Sequence, residues 1–350
     1  MGFLSGSLAC TRFNIVSMPE SPNFELAAFR LIQPGSNITE SSGFVPFEID
    51  EPYDWGAQRF AFRVRMDKIN IDSTLVKERL RELIKGELDR GERLGPKKKK
   101  KLKELAEEEI LAQSAPRSKV IEAVIDGSLL YVGSTSKSHL GNVLALLQKV
   151  GVEVEYKTPW LERGWEEEPS ELVDLKEPGQ SLFGCRFLKE LLNEEEFFVE
   201  PEKGSIKLAT HTHAKVTLTG EVLGELDRYI EEGAELLSAK LIFGELPFSF
   251  DALAYRLNGL KLQNVKGEHW TETLDERLDM LKGVWETLDE KFTALMADGT
   301  PAVPPLTITT APSTADEQAQ SAEETEMAED RSADEADAAT PEGEAVLASE

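Results

Sequence analysis

The chain has 350 residues, of which 65 are acidic and 39 basic, and its net charge of −26 excludes a uniformly basic surface. Any contact with nucleic acid must therefore depend on a local basic patch. Only two cysteines occur, Cys10 and Cys185, which excludes a disulfide framework and a cysteine-rich zinc module. No apolar run reaches the roughly 18 residues of a spanning helix, and the start lacks a basic signal region. We expect a cytoplasmic protein without membrane contact.

The first clear element in chain order is a strand over residues 58–66, in which apolar and basic side chains alternate. The apolar set is Phe60, Phe62, Val64 and Met66, and the basic set is Arg59, Arg63 and Arg65. This pattern predicts a half-buried strand with an exposed basic face. Alternate side chains on a strand lie about 6–7 Å apart, a spacing that suits successive phosphates of one DNA strand.

Two helices follow and form a predicted helical hairpin. Ser73 is the expected N-cap of the first, and a break with Gly91, Gly95 and Pro96 ends it. The second helix runs from Lys97 to about residue 113, before Pro116. Next, strands over 120–125 and 129–133 flank an Asp-Gly turn, and a helix covers 138–150.

The second half is less regular. Residues 151–205 form an acidic segment to which the sequence assigns no element. Beyond it we expect a strand over 206–218, a helix over 221–233, and strands over 234–244 and 253–265. The last helix carries an unbroken heptad seam. The seam consists of Leu274, Leu278, Leu281, Trp285, Leu288, Phe292 and Leu295. It predicts either a dimer interface or packing within one chain.

The final segment differs in composition from the rest. From residue 301 onward there are 13 acidic residues and one basic residue, Arg331, with no aromatic side chain. Such a segment cannot bury enough apolar surface to offset its ordering entropy, so we expect a disordered tail over 299–350. The predicted class is α+β with mixed or antiparallel sheets. The predicted regions are 1–150, 151–205, 206–298 and the tail.

The strongest functional signal is a cluster of seven basic residues without an acid. It comprises Arg93, Lys97, Lys98, Lys99, Lys100, Lys101 and Lys103, with Arg117 and Lys119 just beyond the same helix. Such a cluster could hold several phosphates with strongly salt-dependent affinity. It lacks the Asn, Gln and aromatic residues that read bases, so binding should be independent of sequence. The alternative is a solvated, lysine-rich turn.

Other motifs are weaker. Asp126, Glu155 and Lys157 match the carboxylate and lysine set of metal-dependent nucleases, which makes a DNA exonuclease the main alternative function. His211 and His213 share a predicted strand face but lack a third ligand, so surface histidines and no metal site are expected. The Ser/Thr-rich loop 134–138 lacks the P-loop frame and is expected to cap a helix. No motif indicates a cofactor.

The order of elements resembles the RdgC family, the recombination-associated DNA-binding proteins of bacteria. The start Met1-Gly2-Phe3-Leu4-Ser5-Gly6-Ser7 leads into a strand with Thr11-Arg12-Phe13, followed by the lysine-rich break and Ser114-Ala115-Pro116-Arg117. Later, Tyr229-Ile230-Glu231-Glu232-Gly233-Ala234 leads into Leu241-Ile242-Phe243. The resemblance covers most of 1–296 and is strongest over 68–150.

The resemblance implies a homodimer closed into a ring around duplex DNA, associated with the nucleoid and restraining the access of a recombinase. It places Lys97–Lys101 and Arg117 at the family's basic positions, and Lys215 before a similar helix start. Lys119 stands where relatives carry an aromatic residue, which removes the basis for a hydrophobic subunit contact there. A non-catalytic DNA-binding dimer is the leading hypothesis, ahead of an exonuclease and a protein–protein adaptor.

Overall fold

The computed structural model describes residues 2–33, 36, 38–265 and 267–296. Its strands are β1 (Ser7–Ser17), β2 (Glu40–Val45), β3 (Asp54–Gly56), β4 (Arg59–Lys68), β5 (Arg117–Asp126), β6 (Leu129–Val132), β7 (Glu153–Tyr156), β8 (Phe197–Phe198), β9 (Ser205–Ala209), β10 (Lys215–Thr219), β11 (Glu235–Phe243), β12 (Leu246–Asp251) and β13 (Arg256–Lys261). The α-helices are α1 (Ser73–Asp89), α2 (Pro96–Gln113), α3 (Lys137–Lys149), α4 (Pro159–Glu162), α5 (Leu182–Leu191), α6 (Leu226–Glu231) and α7 (Trp270–Leu295).

The strands form one antiparallel system. Hydrogen-bonded neighbours follow the order β10-β9-β11-β12-β13-β1-β6-β5-β4-β2, while β3 pairs with β4, β7 with β1 and β8 with β11. This arrangement, with the helical hairpin α1–α2 and the long helix α7, confirms the predicted α+β class. The tail predicted over 299–350 lies outside the described residues.

Strand β1 joins the two halves of the sheet, since successive parts of it pair with different neighbours. Residues 7–10 pair with β13, residues 11–14 with β6, and residues 13–17 with β7. Side chains alternate along a strand, so Leu8, Cys10 and Arg12 point to one face and Phe13 to the other. On the first face lies a core built with α5 and α7, and on the second a core built with α3.

The heptad seam of α7 is buried within its own chain. Six of its side chains are at most 1% exposed: Leu274, Leu278, Leu281, Trp285, Leu288 and Phe292. Leu295, at the helix end, is half-buried. The prediction of a dimer interface at these residues is therefore wrong, because side chains that pack in the intrachain core cannot also cover a second subunit. The observed arrangement is the intrachain packing that the heptad pattern left open.

A second stripe of α7 carries charges that match the sheet beneath it. Asp275, Lys282 and Asp289 recur every seven residues, and each forms an ion pair with a different strand. The pairs are Arg59 of β4 with Asp275 at 2.8 Å, Asp126 of β5 with Lys282, and Arg12 of β1 with Asp289 at 2.7 Å. Because positions seven apart lie on one side of a helix, this stripe sets the register of α7 across the sheet.

Some predicted elements differ from the observed ones. The strand expected over 206–218 is a hairpin of β9 and β10, and the strand expected over 253–265 is the shorter β13, paired with the unpredicted β12. Asp72, rather than Ser73, caps α1, since its Oδ1 accepts a 2.7 Å hydrogen bond from the Thr74 amide. The segment 151–205, left without elements, contains α5, whose Phe187, Leu188 and Leu191 are fully buried.

We predict that Asp289→Ala strongly destabilises the fold. Arg12 is 4% exposed and donates two hydrogen bonds to Asp289, so the substitution leaves a buried cation without its counter-charge. Loss of one partner of a buried pair costs about 3–5 kcal/mol. Urea unfolding measures the change, with Asp279→Ala as control, because Asp279 is exposed and a surface pair contributes about 0–1 kcal/mol. Equal stability of the two variants would contradict the assigned role of the pair.

Candidate DNA-binding surface

The helical hairpin packs mainly on itself and not on the sheet. Val76 of α1 and Leu102 and Ala106 of α2 are buried in the hairpin, and an ion pair of 2.5 Å joins Arg79 to Glu109. The turn between the helices contains Gly91 at a φ of 80°, a left-handed conformation that glycine adopts without strain. The hairpin therefore presents its turn, with the start of α2, as a separate tip.

The lysine run occupies the first turns of α2, at this tip. Gly95 is the N-cap and makes no side-chain capping bond, Pro96 is the first helical residue, and no acidic residue lies in the first turn. A helix N-terminus carries about half a positive charge and favours anionic side chains. Placing lysines here costs helix stability and concentrates positive potential. The arrangement suits an anionic ligand better than it suits the helix itself.

Part of this charge is neutralised within the chain. Lys98 pairs with Glu87 and Glu92, and it lowers the pKa of the Glu87 carboxyl. Lys100 and Lys103 pair along the helix with Glu104 and Glu107 at 3.7 and 3.3 Å. The remaining basic residues of the cluster are exposed and have no ion pair with any residue that the structure describes. They are Arg93, Lys97, Lys99 and Lys101.

Arg117 and Lys119 do not lie with the lysine run. They begin β5, after the opposite end of α2, and a helix of 18 residues is about 27 Å long. Both side chains are exposed. Lys119 lies close enough to His139 for its positive charge to add to the effect of burial, which is the larger cause of the lowered pKa of the imidazole. The predicted single cluster is thus two basic sites, one at the tip and one at the base of the hairpin.

The arginines of β4 are engaged inside the chain. Each is half-buried and packs on an aromatic ring; Arg59, for example, lies 3.9 Å from the Trp55 ring centre. Their carboxylate partners are Asp275 for Arg59 at 2.8 Å, Glu122 for Arg63 at 3.2 Å and Asp67 for Arg65 at 2.8 Å. The expectation of an exposed basic face on this strand is wrong, because aromatic rings cover the three guanidinium groups and carboxylates neutralise their charge.

Lys215 lies far from the hairpin along the strand order. It begins β10, at one end of the hydrogen-bonded path, while β4 and β5 lie near the other end. Its side chain is exposed. Three further lysines lie on neighbouring strands of the same sheet, namely Lys207, Lys240 and Lys261. Each is isolated in the sequence and lies between apolar residues of its strand.

The residues proposed for a nuclease are not brought together. Asp126 is paired with Lys282, Lys157 is paired with Glu162, and Glu155 is exposed. Asp126 and Glu155 occupy one row of paired residues with β6 and β1 between them, so three strand spacings, about 14 Å, separate them. Two-metal sites hold their ions about 3.5–4 Å apart, which needs converging carboxylates. Within the described ranges, no group of three or more His, Cys, Asp or Glu could hold a metal ion.

The other candidate motifs have local roles. His211 and His213 lie in the turn between β9 and β10 rather than within a strand, and both are exposed, as surface histidines were expected to be. In the loop before α3, Ser136 occupies the N-cap position, and the Ser134 hydroxyl accepts a hydrogen bond of 3.2 Å from its amide. The Ser136 side chain makes no capping hydrogen bond, so the expected side-chain cap is absent and the Ser134 hydroxyl bonds within the loop instead.

Comparison with known families supports the resemblance. The model of the family described as "Putative exonuclease, RdgC" matches residues 13–165, so this part of the chain is similar to that family. The matched region contains the last five residues of β1, strands β2–β7, the helical hairpin, α3 and α4. The family is recombination-related and DNA-associated. No curated protein matches the chain. None of the helices in the described part of the chain combines the length and apolar character that crossing a bilayer requires.

Proposed function

We propose that this protein binds duplex DNA without sequence preference, as a homodimer that closes into a ring and limits the access of a recombinase to DNA. The observation that carries the proposal is the group of exposed, unpaired cations at the hairpin tip: Arg93, Lys97, Lys99 and Lys101. Together with the family match, it favours DNA as the ligand. Such a protein acts on the bacterial nucleoid.

The chemistry of the tip explains why binding is independent of sequence. Lysine ammonium groups act as point charges toward phosphates, and their affinity arises from the release of counterions. Base recognition needs planar bidentate donors such as Asn, Gln or Arg in a groove. The tip holds a single arginine, Arg93, among lysines. Arg117 and Lys119, at the base of the hairpin, supply a second contact with the phosphate backbone.

The dimer must use a surface other than the heptad seam, which is buried. Apolar side chains are exposed near the base of the hairpin, at Ile71 and Leu75 before and within the start of α1, and at Val120 on β5. Their exposed fractions are 38%, 48% and 46%. Exposed apolar groups of this kind mark contact surfaces when they cluster. They support self-association next to the basic base of the hairpin.

Replacing Lys97, Lys99 and Lys101 together by Gln should weaken binding to all duplexes alike. Each phosphate contact contributes about 0.9 to the slope of log affinity against log salt, so the slope should fall by about 2–3. A salt series on duplexes of differing sequence measures it. The matched control replaces Lys77, Lys149 and Lys189, which are exposed and lie away from the tip. Wild-type affinity in the tip variant, or loss on some sequences only, would contradict the proposal.

A closed ring should be topologically trapped on circular DNA. We expect protein loaded at low salt to remain on a nicked circle during a high-salt wash and to leave a linear duplex of equal length through its ends. Light scattering of the free protein should give twice the mass of the chain. Equal loss from circle and line would reject the ring, and a monomeric mass would reject the dimer.

The bound DNA should stay intact. Asp126 and Lys157 are each paired with another side chain, and Glu155 lies about three strand spacings from Asp126. We therefore expect end-labelled linear duplex incubated with the protein and Mg²⁺ to keep its full length. Nucleotide release that Glu155→Gln abolishes would instead establish an exonuclease. Release that persists in this variant would point to a contaminating nuclease.

A further inference from the structure

A shallow groove lies among the end of α5, β8, β9 and the start of α6. Its volume is about 300 Å³, and all eight of its lining residues are apolar, among them Phe197, Phe198, Leu223 and Leu226. Phe197 is buried and stacks on Phe243 with the ring centres 4.9 Å apart, which fixes this wall of the groove. Phe198 is 48% exposed, so the groove presents an aromatic ring to solvent.

The chemistry of the lining favours a protein segment over a small molecule. Sites for small molecules place a few polar groups among apolar walls, and these groups orient the ligand. None of the residues that line this groove has a polar side chain. Exposed apolar patches with a polar rim are typical of protein contact surfaces. The groove therefore suits apolar side chains that are held in place by a polypeptide.

The rim of the groove is strongly acidic. Residues 192–203 and 220–228 supply most of the lining, and together they contain eight acidic and two basic residues. Lys203 and Arg228 are each paired at 3.4 Å with an acid of the same segment, and Lys291 of α7 pairs with two more acids. The remaining four acids are exposed and have no ion pair with any residue that the structure describes. They are Glu195, Glu202, Glu221 and Asp227.

This rim determines which occupant fits. An anionic ligand such as DNA is repelled by it. A second copy of the chain, bound through the same groove by two-fold symmetry, would place one acidic rim against the other. Like charges that face each other across an interface oppose association, whereas opposite charges steer the partners together. The occupant that complements both the groove and its rim is apolar at its centre and basic at its edges.

We propose that this groove docks a short segment of a partner protein in which a few apolar side chains are flanked by lysine or arginine. The apolar side chains pack against Phe198, Leu223 and Leu226, and the basic side chains pair with the exposed acids of the rim. The groove lies outside residues 13–165, which match the family model, and apart from the hairpin tip. The docking surface is thus separate from the surface proposed for DNA.

A library of random peptides displayed on phage tests the groove, with the full-length wild-type chain as bait. Enriched peptides are synthesised with a fluorescent label, and their affinities are measured by anisotropy. We expect peptides that combine aromatic or aliphatic residues with Lys or Arg. Phe198→Ser should weaken their binding by about tenfold or more, because a few apolar anchors carry most of the binding free energy of an interface. Leu26→Ser, at an exposed leucine elsewhere in the chain, is the matched control and should bind like wild type.

A second variant tests the rim. Replacing Glu195, Glu202 and Glu221 together by Gln should weaken peptide binding and reduce its dependence on salt, because charges at a rim act mainly through electrostatic steering. The matched control replaces three other exposed acids that have no ion pair among the described residues. They are Glu20, Glu78 and Glu153. The rim variant changes only exposed side chains, so it decides the test if Phe198→Ser does not fold.

The proposal is overturned if no peptide is enriched, if the enriched peptides lack Lys and Arg, or if the Phe198 and rim variants bind them like wild type. Light scattering excludes the other occupant. A dimeric wild type with a monomeric Phe198→Ser variant would show that a second copy occupies the groove and would overturn the proposal. Duplex DNA is absent from these assays, so their outcome leaves the proposed DNA binding unchanged.

Discussion

The contact between β1 and α7 is the interaction on which the rest of the structure depends. Arg12 donates two hydrogen bonds to Asp289 at 2.7 and 2.8 Å, its guanidinium lies 4.0 Å from the Trp285 ring centre, and Tyr255 donates to the same carboxylate. The ion pair raises the pKa of Arg12 despite its burial. Since β1 also joins the two halves of the sheet, this contact anchors the C-terminal helix to the strand with which both halves pair.

This contact determines which surfaces remain for a ligand. The apolar seam of α7 packs in the core, and the charged stripe of α7 forms ion pairs with Arg59, Asp126 and Arg12. A second buried arginine, Arg277, donates to the carbonyl oxygens of Phe3 and Gly6 at 2.7 and 2.8 Å. Cations near α7 are therefore structural. The exposed cations without an ion pair among the described residues include those at the hairpin tip and at the start of β5, away from the charged stripe of α7.

Local features were predictable from the sequence and pairing was not. The hairpin α1–α2, the Asp-Gly turn at Asp126 and helix α3 depend on neighbours in sequence, and all three were predicted close to their observed bounds. The turn at His211 contains no Gly or Pro, so the sequence pattern predicts β9 and β10 as a single strand. Whether a basic side chain is free depends on carboxylates far along the chain, as with Arg59 and Asp275. An ion pair between residues so far apart in the chain produces no local sequence pattern, whereas a helix or strand produces a hydrophobic periodicity.

Under the proposed function, the hairpin resolves the conflict between an acidic protein and an anionic ligand. The tail from residue 301 carries −12, so the remaining chain carries −14. Charges separated by more than about 10 Å are largely screened at 0.1 M salt. Helix α2 is about 27 Å long and is basic toward the tip and acidic over Glu104–Glu109 toward the base. Because α2 is longer than this screening distance, the unpaired lysines at the tip lie beyond the reach of most repulsion from the acidic body. A phosphate group that approaches the tip therefore meets the positive potential of these lysines first.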